Sequence, residues 1–361
     1  MADDLDKNDF IVRQDEPFNA EPLPAKLIAS FLTPQSLLYV RSHGATPALA
    51  DDHAIVIAGL RDGEQRLTLT DLQSRFAERQ IVATMQCAGN RRADLQPVRE
   101  TKGDPWDVGA IGTVEWTGVS LADVLREAGL GKRRDGYVAC TGADVVEVEG
   151  QEQAYGISIT LARAMAGDVL IAWAVGGEPL TPPHGAPMRL VVPGYAGVRS
   201  AKWLARIEVQ DTPSDAPIQA RDYKLFPPSE DGEDVDWSTG QTIEAMPVNS
   251  AICVPGDGDT VAAGPVEIRG YAIAYGRQIA RVEVSVNGGE TWERAPFADD
   301  EVVPDAWRRW TATVDLPAGR HELVVRAVDD AGQSQPSEVE QVWNFAGYLS
   351  TAWHRIAVEA R

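Results

Sequence analysis

The chain has 361 residues, 44% hydrophobic and 24% charged, enough for two domains of ordinary size with a core in each. Its formal net charge of −21 excludes nucleic acid, which needs a basic footprint, and repels anions at long range. No stretch approaches the ~20 apolar residues of a membrane span, so no membrane partner is expected.

The start of the chain, Met1-Ala2-Asp3-Asp4-Leu5-Asp6, is acidic where a secretory signal is basic and then apolar. As written this predicts a cytoplasmic protein, or a periplasmic one if an export signal has been removed. Residues 1–36 are polar and punctuated by Pro17, Pro22, Pro24 and Pro34, which excludes one long helix and predicts an arm laid over a domain surface. Leu37–Val40 reads as a short strand ending in the turn-rich Arg41-Ser42-His43-Gly44-Ala45-Thr46-Pro47. Ala54–Gly59 and Arg66–Thr70 read as strands, followed by a helix capped by Thr70 or Asp71.

Ile81–Met85 predicts a buried strand that delivers Cys87 to a loop, with Arg91 and Arg92 just behind it. A soft thiolate beside fixed positive charge suits a transition metal or a redox centre. On residue type alone, a small buried cysteine at a strand end is the simpler account. Further on, Ser120 caps a short helix over Leu121–Ala128 that Gly129 stops, Tyr137–Thr141 is a strand, and Ile159–Met165 reads as helical. Val169–Val175 and Met188–Val192 are apolar strands. These alternating elements predict an α+β domain built on a mixed sheet over residues 1–225. No GxGxxG follows a strand, which argues against a dinucleotide-binding unit.

Composition shifts after Tyr223. Phe226-Pro227-Pro228 and the acidic run Glu230 to Asp236 read as a linker. Beyond it, Val266–Ala272 and Ala280–Val286 alternate, Asn287-Gly288 marks a tight hairpin, and Trp310–Leu316 with His321–Asp329 forms another. Residues 226–361 therefore read as an all-β, immunoglobulin-like sandwich.

The three cysteines, Cys87, Cys140 and Cys253, form no CxxC pair, and the five histidines show no HExxH spacing, so a zinc site is poorly supported. Cys87-Ala88-Gly89-Asn90-Arg91-Arg92 does resemble the signature of the sulfite oxidase family of molybdopterin oxidoreductases. Segments in the same order support that resemblance: Trp106–Gly112, His184-Gly185-Ala186-Pro187-Met188-Arg189, Gly197–Trp203, Arg221-Asp222-Tyr223-Lys224, Trp343-Asn344 and Trp353-His354-Arg355.

The resemblance implies a molybdopterin-binding catalytic domain followed by a dimerisation domain, hence a homodimer. It implies oxidation of sulfite to sulfate by oxo transfer from Mo(VI), with electrons passed to a separate acceptor such as a cytochrome. A related enzyme acting on nitrate or an S-oxide is the alternative. Cys87 is then the protein ligand to molybdenum, and Arg41, Arg92, Trp106, Tyr223 and Arg308 form the substrate pocket. Arg309 competes with Arg308 for that place, and Tyr223 could equally pack at the domain junction. His43, Asp144, His184, Arg189 and Lys202 fall where the family contacts the pterin and its phosphate, with Gly194 and Gly197 allowing close backbone approach. No CxxCH occurs, so no c-type haem is expected on this chain, and neither is a flavin. Cys140 and Cys253 are assigned to structure.

Overall fold

The computed structural model describes residues 5–148, 150–299 and 302–361. Two five-stranded sheets build the first part. In one, Glu78–Gln86 pairs with Ile111–Ser120, which pairs with Leu170–Val175, and Glu178–Pro179 and Arg189–Val191 share the far edge. All of these pairings are antiparallel. Leu170–Val175 is buried at every position, as expected for a strand covered on both faces.

The other sheet runs Gln65–Thr68, Ala54–Ala58, Leu204–Gln210, Tyr137–Val148 and Gln151–Thr160. Its pairing of Ala54–Ala58 with Leu204–Gln210 is parallel, and the rest are antiparallel. The α+β expectation therefore holds, with the sheets dominant and the helices short.

Several local readings shift. Leu37–Val40 is not a strand: a 3-10 turn covers Gln35–Leu37, and only Val40 bridges to Ala20. The helix Leu69–Arg75 is capped by Thr68, whose hydroxyl accepts from the Asp71 amide while the Asp71 carboxylate accepts from the Thr68 amide. The helix expected over Ile159–Met165 forms but starts later, because Ile157 and Ile159 point into the core along the strand Gln151–Thr160. The helix waits for the Thr160 cap and covers only Leu161–Ala164.

The second part is a sandwich. Asn249–Val254, Gly264–Ile273 and Arg308–Leu316 form one sheet; Thr260–Val261, His354–Ala360, Gly319–Asp329, Ile279–Ser285 and Glu293–Ala295 form the other. Ile268, Val282, Trp310, Leu323 and Val325 fill the space between them. The two parts share apolar core: Tyr271, Ile273, Tyr275 and Trp307 pack in the cluster that holds Val108 and Ala88. The Trp307 amide donates to Thr84 Oγ1 at 3.0 Å and its indole N–H to the Phe31 carbonyl at 3.0 Å. The acidic segment after Phe226 closes a hairpin between Lys224–Leu225 and Gln241–Thr242, and the rings of Phe226, Trp237 and Phe345 pin it down.

Candidate active site

The antiparallel sheet ends at Gln86, and the next residue, Cys87, turns into a tight loop. The Cys87 amide donates to the Ala110 carbonyl at 2.9 Å, and Arg91 adopts a left-handed backbone, φ 64°. The Gly89 amide points at Cys87 Sγ, 3.4 Å away. Burial raises the thiol pKa even though the Arg92 and Arg41 guanidiniums pull it down. Adjacent charge alone therefore does not ionise Cys87; a bound metal would, because a coordinated thiol loses its proton outright.

The two arginines behind Cys87 diverge. Arg91 is fully buried and points toward the sandwich, donating to Asn249 Oδ1 at 2.7 Å and to the carbonyls of Ser250 and Ala352 at 3.0 and 2.9 Å. Arg92 stays beside Cys87. Its Nε donates to the Gly347 carbonyl at 2.9 Å and its Nη1 to the Asp104 carbonyl at 2.8 Å. Among the described residues its Nη2 forms no hydrogen bond.

Arg41 arrives from the loop after Val40. Gly44 lets this loop lie against the neighbouring sheet, since a Cβ there would come within 1.9 Å of the Val145 carbonyl oxygen. Arg41 spends one N–H on the Ser42 carbonyl. Burial disfavours its charge, but the Tyr223 and Cys87 groups facing it outweigh that, and its pKa ends raised. Two guanidiniums thus flank one buried thiol with donors to spare.

Cys87 lines a cleft with about 650 Å³ of empty space, a figure that includes space open to solvent. Arg41, His43, Asp144, His184, Arg189, Lys202 and Tyr223 line it too. The structure thereby brings together eight residues singled out in the sequence. Lys202 Nζ donates to Ser42 Oγ at 2.6 Å and the Pro183 carbonyl at 2.8 Å. Burial drives its pKa well below that of an ordinary lysine, and Arg189 adds repulsion. Burial likewise takes Arg189 down to about 10. Among the described residues Asp144 is the one carboxylate on the wall; burial lifts it to about 6 against the pull of Lys202, and its Oδ1 is buried without a partner there.

His184 is also held down, to about 3, chiefly by burial. Its Nε2 lies 3.1 Å from the Leu38 carbonyl, so it carries the proton there, and Nδ1 accepts from Thr181 Oγ1 at 2.8 Å. Both ring nitrogens are committed, which makes this residue a wall rather than a free donor. Gly197 reaches the cleft, whereas Gly194 turns away toward Tyr275.

Tyr223 closes the far side in a left-handed backbone, φ 51°. Such strain costs about 1–3 kcal/mol and persists only where surroundings enforce it. Its hydroxyl is hydrogen bonded to His43 Nε2 at 2.8 Å. Burial raises the Tyr223 pKa well above the usual phenol range and lowers that of His43 well below the imidazole range. The pair therefore sits as a protonated phenol against a neutral imidazole.

Three expected pocket residues lie off the cleft wall; Arg92 is one, close enough for its charge to act on Cys87 but not lining the space. Trp106 is fully buried behind the cleft, in the apolar cluster with Cys87, Met85 and Tyr39. Arg308 belongs to the sandwich. Strand alternation puts it on the same face as the buried Trp310, so its guanidinium stacks on Phe297 at 3.9 Å and donates to the Asp299 carbonyl at 3.1 Å. Arg309 points the other way and pairs with the Asp299 carboxylate. Neither lines the cleft, which leaves two guanidiniums beside Cys87 instead of three.

Sequence reasoning missed Tyr39, Tyr155 and Ser42 on the wall and Tyr348 packed against Tyr223 behind it. Tyr348 comes from the second part of the chain and stacks on Tyr223 with ring centres 4.8 Å apart. The available signal was its place just after Trp343-Asn344.

Three cations against one carboxylate, an orphaned carboxylate oxygen and a lone soft sulfur make a site that fits an anionic, sulfur-rich cofactor. Among the described residues no group of three or more His, Cys, Asp or Glu side chains could hold a metal ion, so most ligands of a metal here must come with the cofactor. Comparison with known proteins agrees. Residues 43–218 match the oxidoreductase molybdopterin binding domain, and residues 240–361 match the Mo-co oxidoreductase dimerisation domain. The chain is 43% identical to the mitochondrial sulfite oxidase of Homo sapiens over 96% of its own length and 65% of that protein's, so it spans just under two thirds of that relative. It is 39% identical to the sulfite oxidase of Arabidopsis thaliana over 96% of its length and 92% of that protein's. Among solved structures, the sulfane dehydrogenase SoxCD from Paracoccus pantotrophus superposes with a TM-score of 0.81 at 26% identity, covering 97% of this chain and 86% of that one.

Proposed function

The chain belongs to the sulfite oxidase family of molybdopterin oxidoreductases, and from that premise we propose that it oxidises sulfite to sulfate and passes the electrons to a separate carrier. The observation that carries the substrate class is the pair Arg41 and Arg92, two guanidiniums with spare donors beside Cys87. Such a pair is unfavourable in an apolar cleft and becomes favourable when a small oxyanion accepts forked, charge-assisted hydrogen bonds.

When bound, the molybdenum cofactor supplies the oxygen-atom transfer and the two-electron redox chemistry. This chain's residues do the rest. Cys87 holds the metal through sulfur, and Arg41, Arg92 and the Gly89 amide stabilise the negative charge on that sulfur. Lys202 and Arg189 supply positive charge to the cofactor's phosphate, and Asp144 Oδ1 offers an acceptor to the pterin edge. Tyr223 keeps its proton and can donate it as a hydrogen bond to a substrate oxygen, while neutral His43 fixes the direction of the phenol. The sandwich pairs with that of a second copy, as the matched dimerisation domain suggests.

The position of Arg308 outside the cleft favours a second reading, a related enzyme acting on nitrate, a monoanion, or on a neutral S-oxide, because less positive charge is fixed around the substrate. Molybdenum analysis of the purified protein, with sulfite-dependent reduction of ferricyanide, tests both. The expected result is stoichiometric metal and sulfite turnover, with turnover falling more than about 100-fold in Cys87→Ser, since even outer residues of metal sites are worth 10–100-fold. A metal-loaded protein that reduces no ferricyanide with sulfite would sink the sulfite reading. A native protein without molybdenum would sink the cofactor assignment.

A further inference from the structure

Tyr348 is not among the residues that the family signature segments single out, yet its ring meets Tyr223, which lines the cleft, and Arg92, whose charge acts on Cys87. One face stacks on Tyr223 at 4.8 Å with the planes 21° apart. The Arg92 guanidinium carbon lies 5.3 Å from the ring centre, within cation–π reach. Cys87 and Arg41 are near enough for their charges to act on its hydroxyl. Tyr348 remains partly open to solvent while Tyr223 beneath it is buried.

The backbone holds this ring rigidly. The Asn344 side chain accepts from the Tyr348 amide at 3.0 Å and donates to the Tyr348 carbonyl at 2.7 Å. The Leu349 amide donates to the Ala88 carbonyl at 2.8 Å, one residue past Cys87. The Gly347 carbonyl accepts from Arg92. A Cβ at Gly347 would come within 2.6 Å of the Arg92 side chain, so only glycine lets the turn lie this close. Tyr348 is therefore a fixed roof clipped to the metal-binding loop from the other part of the chain.

We propose that Tyr348 determines substrate size: it roofs the space between Arg92 and Tyr223 and restricts it to small inorganic oxyanions, excluding organosulfur anions such as alkanesulfinates. This rests on the sulfite reading above. An alkanesulfinate presents the same sulfur lone pair as sulfite but carries an alkyl group in place of one oxygen. Its oxidation to the sulfonate forms one S–O bond with oxygen drawn from water, releases two protons, and delivers two electrons to two ferricyanide ions. The Tyr348 ring packs against both Tyr223 and Arg92, so on this proposal the alkyl group of a substrate held by Arg41 and Arg92 would meet it.

The test compares wild-type holoenzyme with Tyr348→Phe, Tyr348→Leu and Tyr348→Ala, each assayed with sulfite and with methanesulfinate under ferricyanide. Sulfate binding is measured alongside by calorimetry in the oxidised protein without turnover. One missing contact in such a pocket changes discrimination by about 10–200-fold. The kcat/KM ratio of sulfite to methanesulfinate should fall about tenfold or more in Tyr348→Ala and less in Tyr348→Leu, and stay near wild type in Tyr348→Phe. The change should appear in KM more than in kcat, with sulfate binding weakened as Arg92 loses its ring. An unchanged ratio and unchanged sulfate affinity in a molybdenum-loaded Tyr348→Ala or Tyr348→Leu protein would overturn the proposal. Absence of sulfite turnover in the wild type is a separate outcome, and it would remove the premise rather than the roof.

Discussion

Two hollows lie on either side of the loop that carries Cys87, and they differ in how their charges are matched. The cleft at Cys87 is the smaller, about 650 Å³ of empty space, with Arg41, Arg189 and Lys202 on its wall and Asp144 the one carboxylate there among the described residues. The other, about 1620 Å³, opens between the N-terminal arm and the sandwich, and its walls carry Asp94, Asp107, Asp257, Glu322, Glu338 and Glu340. Its carboxylates are largely spoken for: Asp94 pairs with Arg91, Glu322 with Arg355, and Asp257 accepts from the Ala357 amide. Size points to the wrong hollow. Uncompensated buried charge points to the right one, because it is stable only when something else completes it.

The adjacent arginines give the sharpest way to break that comparison. Arg91 serves the paired side, where it ties the loop to Asn249, Ser250 and Ala352 with no exposure to solvent. Removing one partner of a buried pair costs roughly 3–5 kcal/mol. Arg91→Gln should therefore lower stability by about that much in a denaturant titration, with sulfite KM little changed in whatever protein remains folded. Arg92 serves the unpaired side. Arg92→Gln should raise sulfite KM about 10–100-fold, as expected for a lost charge-assisted hydrogen bond worth roughly 1.5–3 kcal/mol, and lower the denaturation midpoint less than Arg91→Gln does, since it gives up two carbonyl contacts and not a buried pair. If the two variants exchanged phenotypes, the division of labour drawn here would be wrong.

What was legible in the sequence follows the same division. Cys87, Arg92, His184, Arg189 and Lys202 sit in short local segments whose strand ends and turns point them one way, and the structure gathers most of them on one wall. Arg308 depended on tertiary register. Only the pairing of Ala272 with Arg308 and Gly270 with Trp310 shows that this strand face looks into the sandwich. Tyr348 was invisible for the same reason, being delivered to the Cys87 loop by a turn far along the chain. The helix expected over Ile159–Met165 lost only its first turn: buried isoleucines at 157 and 159 are a strand signal, and tertiary pairing with Tyr137–Val148 outweighed local propensity up to Thr160.

His354 offers the smallest and most easily read effect, on the paired side. It is 4% exposed, and its Nδ1 accepts from the Ile252 amide at 3.0 Å. Burial lowers its pKa to about 3, with Arg91 adding repulsion and Asp107 and Asp257 opposing it. In the unfolded chain the group titrates near the usual ~6.5. Between these values the unfolded state takes up the proton and the folded state does not, so stability is full above about 6.5 and falls as pH drops toward 3. From pH 7 to pH 5 the loss should be on the order of 2 kcal/mol from this residue alone. His354→Asn keeps an acceptor for the Ile252 amide but cannot titrate. Denaturant curves at pH 7 and pH 5 should show a shallower acid limb in the variant by about that amount. A variant that loses stability toward acid as steeply as the wild type would show that His354 is not held neutral, and that the paired hollow is less tightly closed than its ion pairs imply.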